Sequence, residues 1–198
     1  DDLMTAFINS EYEGQRLTPE EVIRFCITLV VAGAETTVYF LGNLIAALLE
    51  YPEHQQRLRE DRSLMRHFLD ESLRRDGPPQ RLFRVATEDC EVNGTQVAAG
   101  DWVAIFYAAA NRDPAVFPEP DEFQLPRKNV SRHLTFGHGI HSCMGFRVAR
   151  LEGEILMQGL LDQFPTIRAG AGQARRQSGG LLNYGFETLP VELRRTVD

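Results

Sequence analysis

Phe136-Gly137-His138-Gly139-Ile140-His141-Ser142-Cys143-Met144-Gly145 sets a single cysteine among three glycines and two histidines. A thiolate is held by a bound metal and by neighbouring backbone N–H groups. Gly137, Gly139 and Gly145 let the main chain approach the sulfur without Cβ clashes. Residues 145–163 carry a helical pattern, so the loop runs straight into a helix start, whose free N–H groups and dipole favour negative charge. An isolated free cysteine is most often an inert core residue. This ten-residue arrangement points to a liganding loop instead.

Upstream of the loop, Asn111 to His133 holds Pro114, Pro118, Pro120 and Pro126 with no sustained period. So long an irregular stretch inside a compact domain usually serves a site. Before it, Phe83–Ala86, Cys90–Val92, Thr95–Val97 and Trp102–Tyr107 read as short strands, with Asn93-Gly94 turning a hairpin. Beyond residue 163, the tail from Leu181 to Leu193 alternates as a terminal hairpin would.

The N-terminal third is helical. Thr18-Pro19-Glu20-Glu21 is a helix start: Thr18 caps, Pro19 suits the first turn, and Glu21 reaches back to the Thr18 N–H. The helix is expected to run to about Glu50, apolar on every face, which suits the middle of a large domain. From Phe25 to Leu49 only Glu35 is formally charged, a run long enough to cross a bilayer at about 20 residues. An acid near its middle is costly in lipid, so a buried helix of a soluble core is the preferred reading, with no membrane span. Pro52 restarts the chain into a shorter helix. A second amphipathic stretch, residues 63–76, ends at Gly77-Pro78-Pro79.

At 198 residues and 43% hydrophobic, the chain can bury a real core. A net charge of -7 argues against a nucleic-acid partner, which needs a basic face. Three widely spaced cysteines, Cys26, Cys90 and Cys143, make no disulfide framework and suit a reducing, cytoplasmic setting. The opening DDLMTAF has no initiator Met or charged leader and reads as an interior piece of something longer.

The decamer resembles the heme-binding signature of the cytochrome P-450 superfamily, F-G-x-G-x-H/R-x-C-x-G, at Phe136, Gly137, Gly139, His141, Cys143 and Gly145. Met144 and Phe146 stand where Leu and Ala are common in bacterial members. The resemblance implies heme b as cofactor, with Cys143 as the proximal thiolate ligand of its iron, Phe136 packed near the sulfur, and His141 on a propionate. A thiolate ligand favours oxygen activation over oxygen carriage. Ala32-Gly33-Ala34-Glu35-Thr36-Thr37 resembles the oxygen-activating segment of the long distal helix. By that likeness Ala32 and Gly33 leave room over the cofactor, and Glu35 and Thr36 form the acid and alcohol pair that delivers protons. Adjacent helical residues project about 100° apart, so a local bend is expected there.

Glu71 and Arg74 form E-x-x-R, which in the family is buried and joined by a residue from the later irregular stretch, here Arg127. Arg84 is placed by the likeness to meet a propionate, and His133 is a second propionate or a loop-anchoring candidate. The implied fold is mainly α with small β-sheets: a long central distal helix, short strands, a meander, the cysteine-ligand loop and its following helix. Residues 1–198 would be the C-terminal half of a bacterial, soluble P-450 domain, with the N-terminal half missing and apolar surface exposed where it would sit.

The implied activity is a monooxygenase that inserts one atom of dioxygen into a small apolar organic substrate, in the cytoplasm. A ferredoxin with its reductase would supply electrons. Arg147 and Arg150 near the loop, and a basic run of Arg57, Arg59, Arg62 and Arg66, are candidates to steer that donor, the latter equally readable as solvated helix faces. Two alternatives compete: a peroxide-driven peroxygenase, and a zinc-binding module using His138, His141 and Cys143, whose spacing lacks a nearby fourth ligand.

Overall fold

In a computed structural model, residues 2–178 and 182–195 are described. The chain divides into two units, Asp1–Val38 and Tyr39–Asp198. In the first, helix α1 (Leu3–Asn9) is capped by Asp2, whose carboxylate accepts from Thr5 N at 2.7 Å. A two-stranded ribbon follows, β1 (Glu11–Tyr12) with β2 (Gln15–Arg16). Then the long helix α2 (Pro19–Glu50) begins. Its start is a reciprocal capping box: Thr18 N donates to Glu21 Oε2 at 2.8 Å, and Glu21 N donates to Thr18 Oγ1 at 3.3 Å. Both helix ends lie where local chemistry places them.

The burial of α2 differs from the sequence expectation. Its C-terminal third is core, with Phe40, Leu44, Ala47 and Leu48 buried, while before it Val22 is buried and Ile23, Ile27, Val30, Val31 and Val38 are exposed. Among the described residues, α2 is also the helix long and apolar enough to cross a membrane. Its residues 40–48 pack into a protein core, whereas only 6% of the helix's 18-residue apolar window is buried.

The second unit is built on α3 (Glu53–Glu60), α4 (Met65–Asp76) and α6 (Phe146–Gln163), packed with the end of α2. Leu58, Met65, Phe68, Leu69, Leu73, Met157 and Leu161 interdigitate with Phe40 and Leu44 in one cluster, which Phe123 and Leu125 of the meander join. Burying each large side chain is worth about 1.5–3 kcal/mol. Gly153 lets α6 cross closely: a Cβ there would lie 2.9 Å from Phe40 and 3.1 Å from Leu44.

Among the described residues, strand pairing is antiparallel. β3 (Leu82–Val85) pairs with β6 (Trp102–Ile105), and β4 (Cys90–Val92) pairs with β5 (Thr95–Val97) across Asn93-Gly94. The strand expected to reach Tyr107 stops at Ile105, and a short helix α5 (Tyr107–Ala110) follows. The tail is not a self-contained hairpin. β9 (Phe186–Thr188) pairs with β8 (Arg175–Arg176), and β10 (Val191–Arg194) pairs with β7 (Thr166–Ala169). Alternation within the tail marked strands but not their partners; Leu181 lies outside the described residues.

Candidate functional site

Three side chains hold the irregular stretch 111–135. Glu71 and Arg74 lie one turn apart on α4, both fully buried, with Arg74 Nε 2.8 Å and Nη2 2.9 Å from the two Glu71 oxygens. Arg127 donates from Nε to the same carboxylate at 3.0 and 3.1 Å. The remaining guanidinium protons go to backbone carbonyls. Arg74 serves Asn111, Pro120 and Glu122, and Arg127 serves Pro118, Glu119 and Glu122. A segment without ladder bonds must pair its buried carbonyls elsewhere, and two arginine forks do that here.

Asn111 and Thr135 close the other end. Asn111 Oδ1 accepts from Leu134 N at 2.6 Å, its Nδ2 donates to Thr135 Oγ1 at 2.9 Å, and Thr135 Oγ1 donates to Leu73 O at 2.6 Å. The sequence reading placed Asn111 only at the start of the irregular stretch. Its signal was a lone amide at the end of an apolar strand-helix segment.

The cysteine loop grows from this scaffold. Gly137 N donates to Leu134 O and Cys143 N to Phe136 O, both at 2.8 Å, while Ser142 N donates to Gly139 O at 3.0 Å. Gly137 and Gly139 take φ of 72° and 71°, a region side chains with a Cβ rarely adopt. The loop's outer side is open: Cys143 and His141 are exposed, Met144 is exposed, and Ile140 is 96% exposed. A thiol is thus ringed by Cβ-free backbone and two bare apolar side chains. That surface fits a flat apolar macrocycle bound through sulfur better than a hydrated cation. Among the described residues no group of three or more His, Cys, Asp or Glu side chains is placed to hold a metal ion together, so the zinc arrangement of His138, His141 and Cys143 does not form.

The other expected site residues fall as follows. Arg84, on β3, donates from Nη1 to its neighbour's carbonyl, Phe83 O, at 2.8 Å and is partly exposed. Phe136 packs against the hydrophobic core at the root of the loop. His133 is buried, its Nε2 3.6 Å from Asp70 Oδ1 and its Nδ1 accepting from Thr135 N at 3.3 Å. Both ring nitrogens thus face protein groups.

In the first unit, α2 stays α-helical through Ala32, Gly33, Glu35 and Thr36, so the expected bend produces no break in the helix. Thr36 Oγ1 donates to Ala32 O at 2.7 Å, the back-bond that a mid-helix threonine makes.

Three arginines of the basic run are engaged within the fold, while Arg66 is exposed. Arg57 donates to Leu125 O at 2.5 Å, Arg59 to Leu161 O at 3.2 Å and Phe164 O at 2.8 Å, and Arg62 pairs with Asp162. Arg57 ties down the meander, and Arg59 satisfies carbonyls at the end of α6. Arg150 is likewise engaged, 2.8 Å from Asp70 Oδ1, leaving Arg147 exposed beside the loop.

A family model described as cytochrome P450 matches residues 1–177. The chain belongs to the cytochrome P450 family. It is 45% identical over 98% of its length to cytochrome P450 140 of Mycobacterium tuberculosis, covering 44% of that protein. It is 37% identical over 98% of its length to the cytochrome P450 monooxygenase PikC of Streptomyces venezuelae, covering 47%. Among solved structures, the cytochrome P450 CYP109Q5 of Chondromyces apiculatus superposes with a TM-score of 0.92 at 34% identity, over 98% of this chain and 50% of that one. The chain therefore spans about half the length of the P450 relatives it matches. The P450 fold class is the one expected, mainly helical with small antiparallel sheets.

Proposed function

We propose that the chain is the C-terminal, heme-binding half of a heme-thiolate monooxygenase, working in the cytoplasm. The observation that carries the reading is the exposed Cys143 thiol on a glycine backbone, in a chain of the P450 family. Cys143 would hold heme iron as thiolate, with Gly137, Gly139 and Gly145 bringing the main chain beneath the macrocycle and Phe136 packing beside the sulfur. His141 and Arg84 have the charge and exposure to take the propionates. Heme, when bound there, supplies dioxygen activation: with two electrons and two protons, one oxygen atom enters the organic substrate and the other leaves as water.

This chain's contribution to proton supply is Glu35 and Thr36. Thr36 directs its hydroxyl proton to Ala32 O, leaving oxygen lone pairs to accept one. To donate, it must leave the back-bond, a rotation that couples proton delivery to the helix backbone. Glu35 would exchange protons with solvent. Ala32 and Gly33 keep that surface low. The acid and alcohol pair favours the dioxygen route over a peroxide-driven one.

The apolar residues exposed along Ile23–Val38 would be covered by an N-terminal half, together with a small apolar substrate. An acidic ferredoxin with its reductase would dock near Arg147. The test is the reduced, carbon monoxide-treated full-length protein. A strongly red-shifted Soret band is expected, and its absence in a folded, hemin-loaded sample overturns the reading. Thr36→Val is expected to lower donor-driven product formation by about 100-fold or more while sparing that band.

A further inference from the structure

Asp70 immediately precedes Glu71 on α4, yet its buried carboxylate faces another way and serves neither the meander arginines nor solvent. Its Oδ1 accepts from Arg150 Nε of α6 at 2.8 Å and lies 3.6 Å from His133 Nε2, a nitrogen with no hydrogen-bond partner. Both partners flank one ring. The Arg150 guanidinium carbon sits 4.9 Å from the centroid of Phe136, and the His133 ring sits 5.8 Å from it. Arg150 also lies 5.5 Å over Phe146, which itself tilts against Phe136 at 6.1 Å.

Phe136 is the root of the cysteine loop, and its carbonyl accepts the Cys143 N–H at 2.8 Å. A continuous path therefore runs from one carboxylate, through a guanidinium and an imidazole, to an aromatic ring and on to the backbone of the sulfur-bearing residue. We propose that Asp70 is a positioning residue for Cys143: through Arg150 and His133 it fixes Phe136, and so sets where the sulfur sits relative to its ligand.

The geometry supports this over a purely structural pair. Burial raises the energy of the Asp70 charge and pushes its carboxyl up, but the adjoining His133 and Arg150 outweigh that and hold it below the usual range. The carboxylate is thus kept ionised where desolvation opposes it. Arg150 spends its flat face on two aromatic rings, which a lysine cannot do. The pair Glu50 and Arg75, bidentate at 2.8 and 3.0 Å, is an ion pair from the same region of the fold that touches no residue of the loop.

The inference rests on the heme-thiolate reading, and one experiment separates the two. Full-length protein, Asp70→Asn, Arg150→Lys and the control Glu50→Gln are loaded with hemin, and two quantities are read: hemin affinity, and the ferrous carbon monoxide spectrum. Partners that orient a ligand typically change metal-site affinity about 10–100-fold when lost. Asp70→Asn is expected to weaken hemin retention by about tenfold and to move part of the Soret intensity from the thiolate position, with Arg150→Lys intermediate and Glu50→Gln like wild type. Asp70→Glu, which keeps the carboxylate, is expected to move both readouts back toward wild type. If wild type lacks the thiolate band, the proposed function fails. If wild type shows it and Asp70→Asn matches Glu50→Gln in both readouts, only the positioning role fails. Should Asp70→Asn not fold, Arg150→Lys decides alone: wild-type affinity and spectrum there overturn the role.

Discussion

Two irregular segments lie side by side in the sequence and are stabilised in opposite ways. The meander, 111–135, is anchored from within: five of its carbonyls are taken by Arg74 and Arg127, its ends are tied by Asn111 and Thr135, and Phe117, Phe123 and Leu125 are core. The cysteine loop, 137–145, is exposed, short of side-chain partners, and held by three backbone hydrogen bonds and its root at Phe136. Irregular backbone can be rigid when buried charge replaces ladder bonds, and it can stay open when a ligand is to complete it. The meander is a finished structure, and the loop is a half of one.

The largest expected effect breaks the finished half. Glu71→Ala leaves two buried guanidinium groups without their carboxylate, and breaking a buried pair in this way costs about 3–5 kcal/mol. A denaturant midpoint close to wild type would mean that the carbonyls alone hold Arg74 and Arg127. Next is Asn111→Ala, which orphans the Leu134 N–H and the Thr135 hydroxyl acceptor site, with an expected loss of about 1–3 kcal/mol in the same titration.

Gly139→Ala probes the open half. A Cβ there meets nothing within 4 Å, so the cost to the folded chain is about 1 kcal/mol of backbone strain alone. Hemin affinity is expected to fall further than stability does if Gly139 lies within the footprint proposed for the heme. Equal losses in the two measurements would place Gly139 outside the ligand's footprint.

The smallest effect is acid sensitivity, and it too belongs to the meander side. His54 of α3 is buried against Tyr51, Phe68 and Phe123 with neither nitrogen hydrogen-bonded, and burial holds its pKa below the ordinary value. The unfolded chain therefore binds the proton more readily. Stability from this group is complete above about pH 6.5 and declines as pH falls toward the lowered folded value. His54→Phe is expected to flatten that slope in stability measured between about pH 7 and 5.

Features set by neighbours in sequence were legible. The Thr18 and Glu21 capping box, the end of α2 at Glu50, the Asn93-Gly94 hairpin and the helix after the loop each follow from a few adjacent residues. The cysteine motif and E-x-x-R were legible because their spacing is fixed by one loop and one helical turn. What the sequence could not show depends on remote partners. Arg57 and Arg59 look like a charged helix face, and only the fold brings Leu125, Leu161 and Phe164 carbonyls to them. Asp70 stood unremarked beside Glu71 because nothing local reveals that two adjacent acids point into different networks. The exposed half of α2 was read as core because periodicity reports apolar character and not its neighbour.

The pairing of β10 with β7 bears on synthesis. β7 follows directly after α6, but residues 191–194 are its partner. On the ribosome that edge therefore stays unzipped until almost all of these 198 residues have been translated, and a nascent-chain chaperone that shields bare strands would have its longest engagement there.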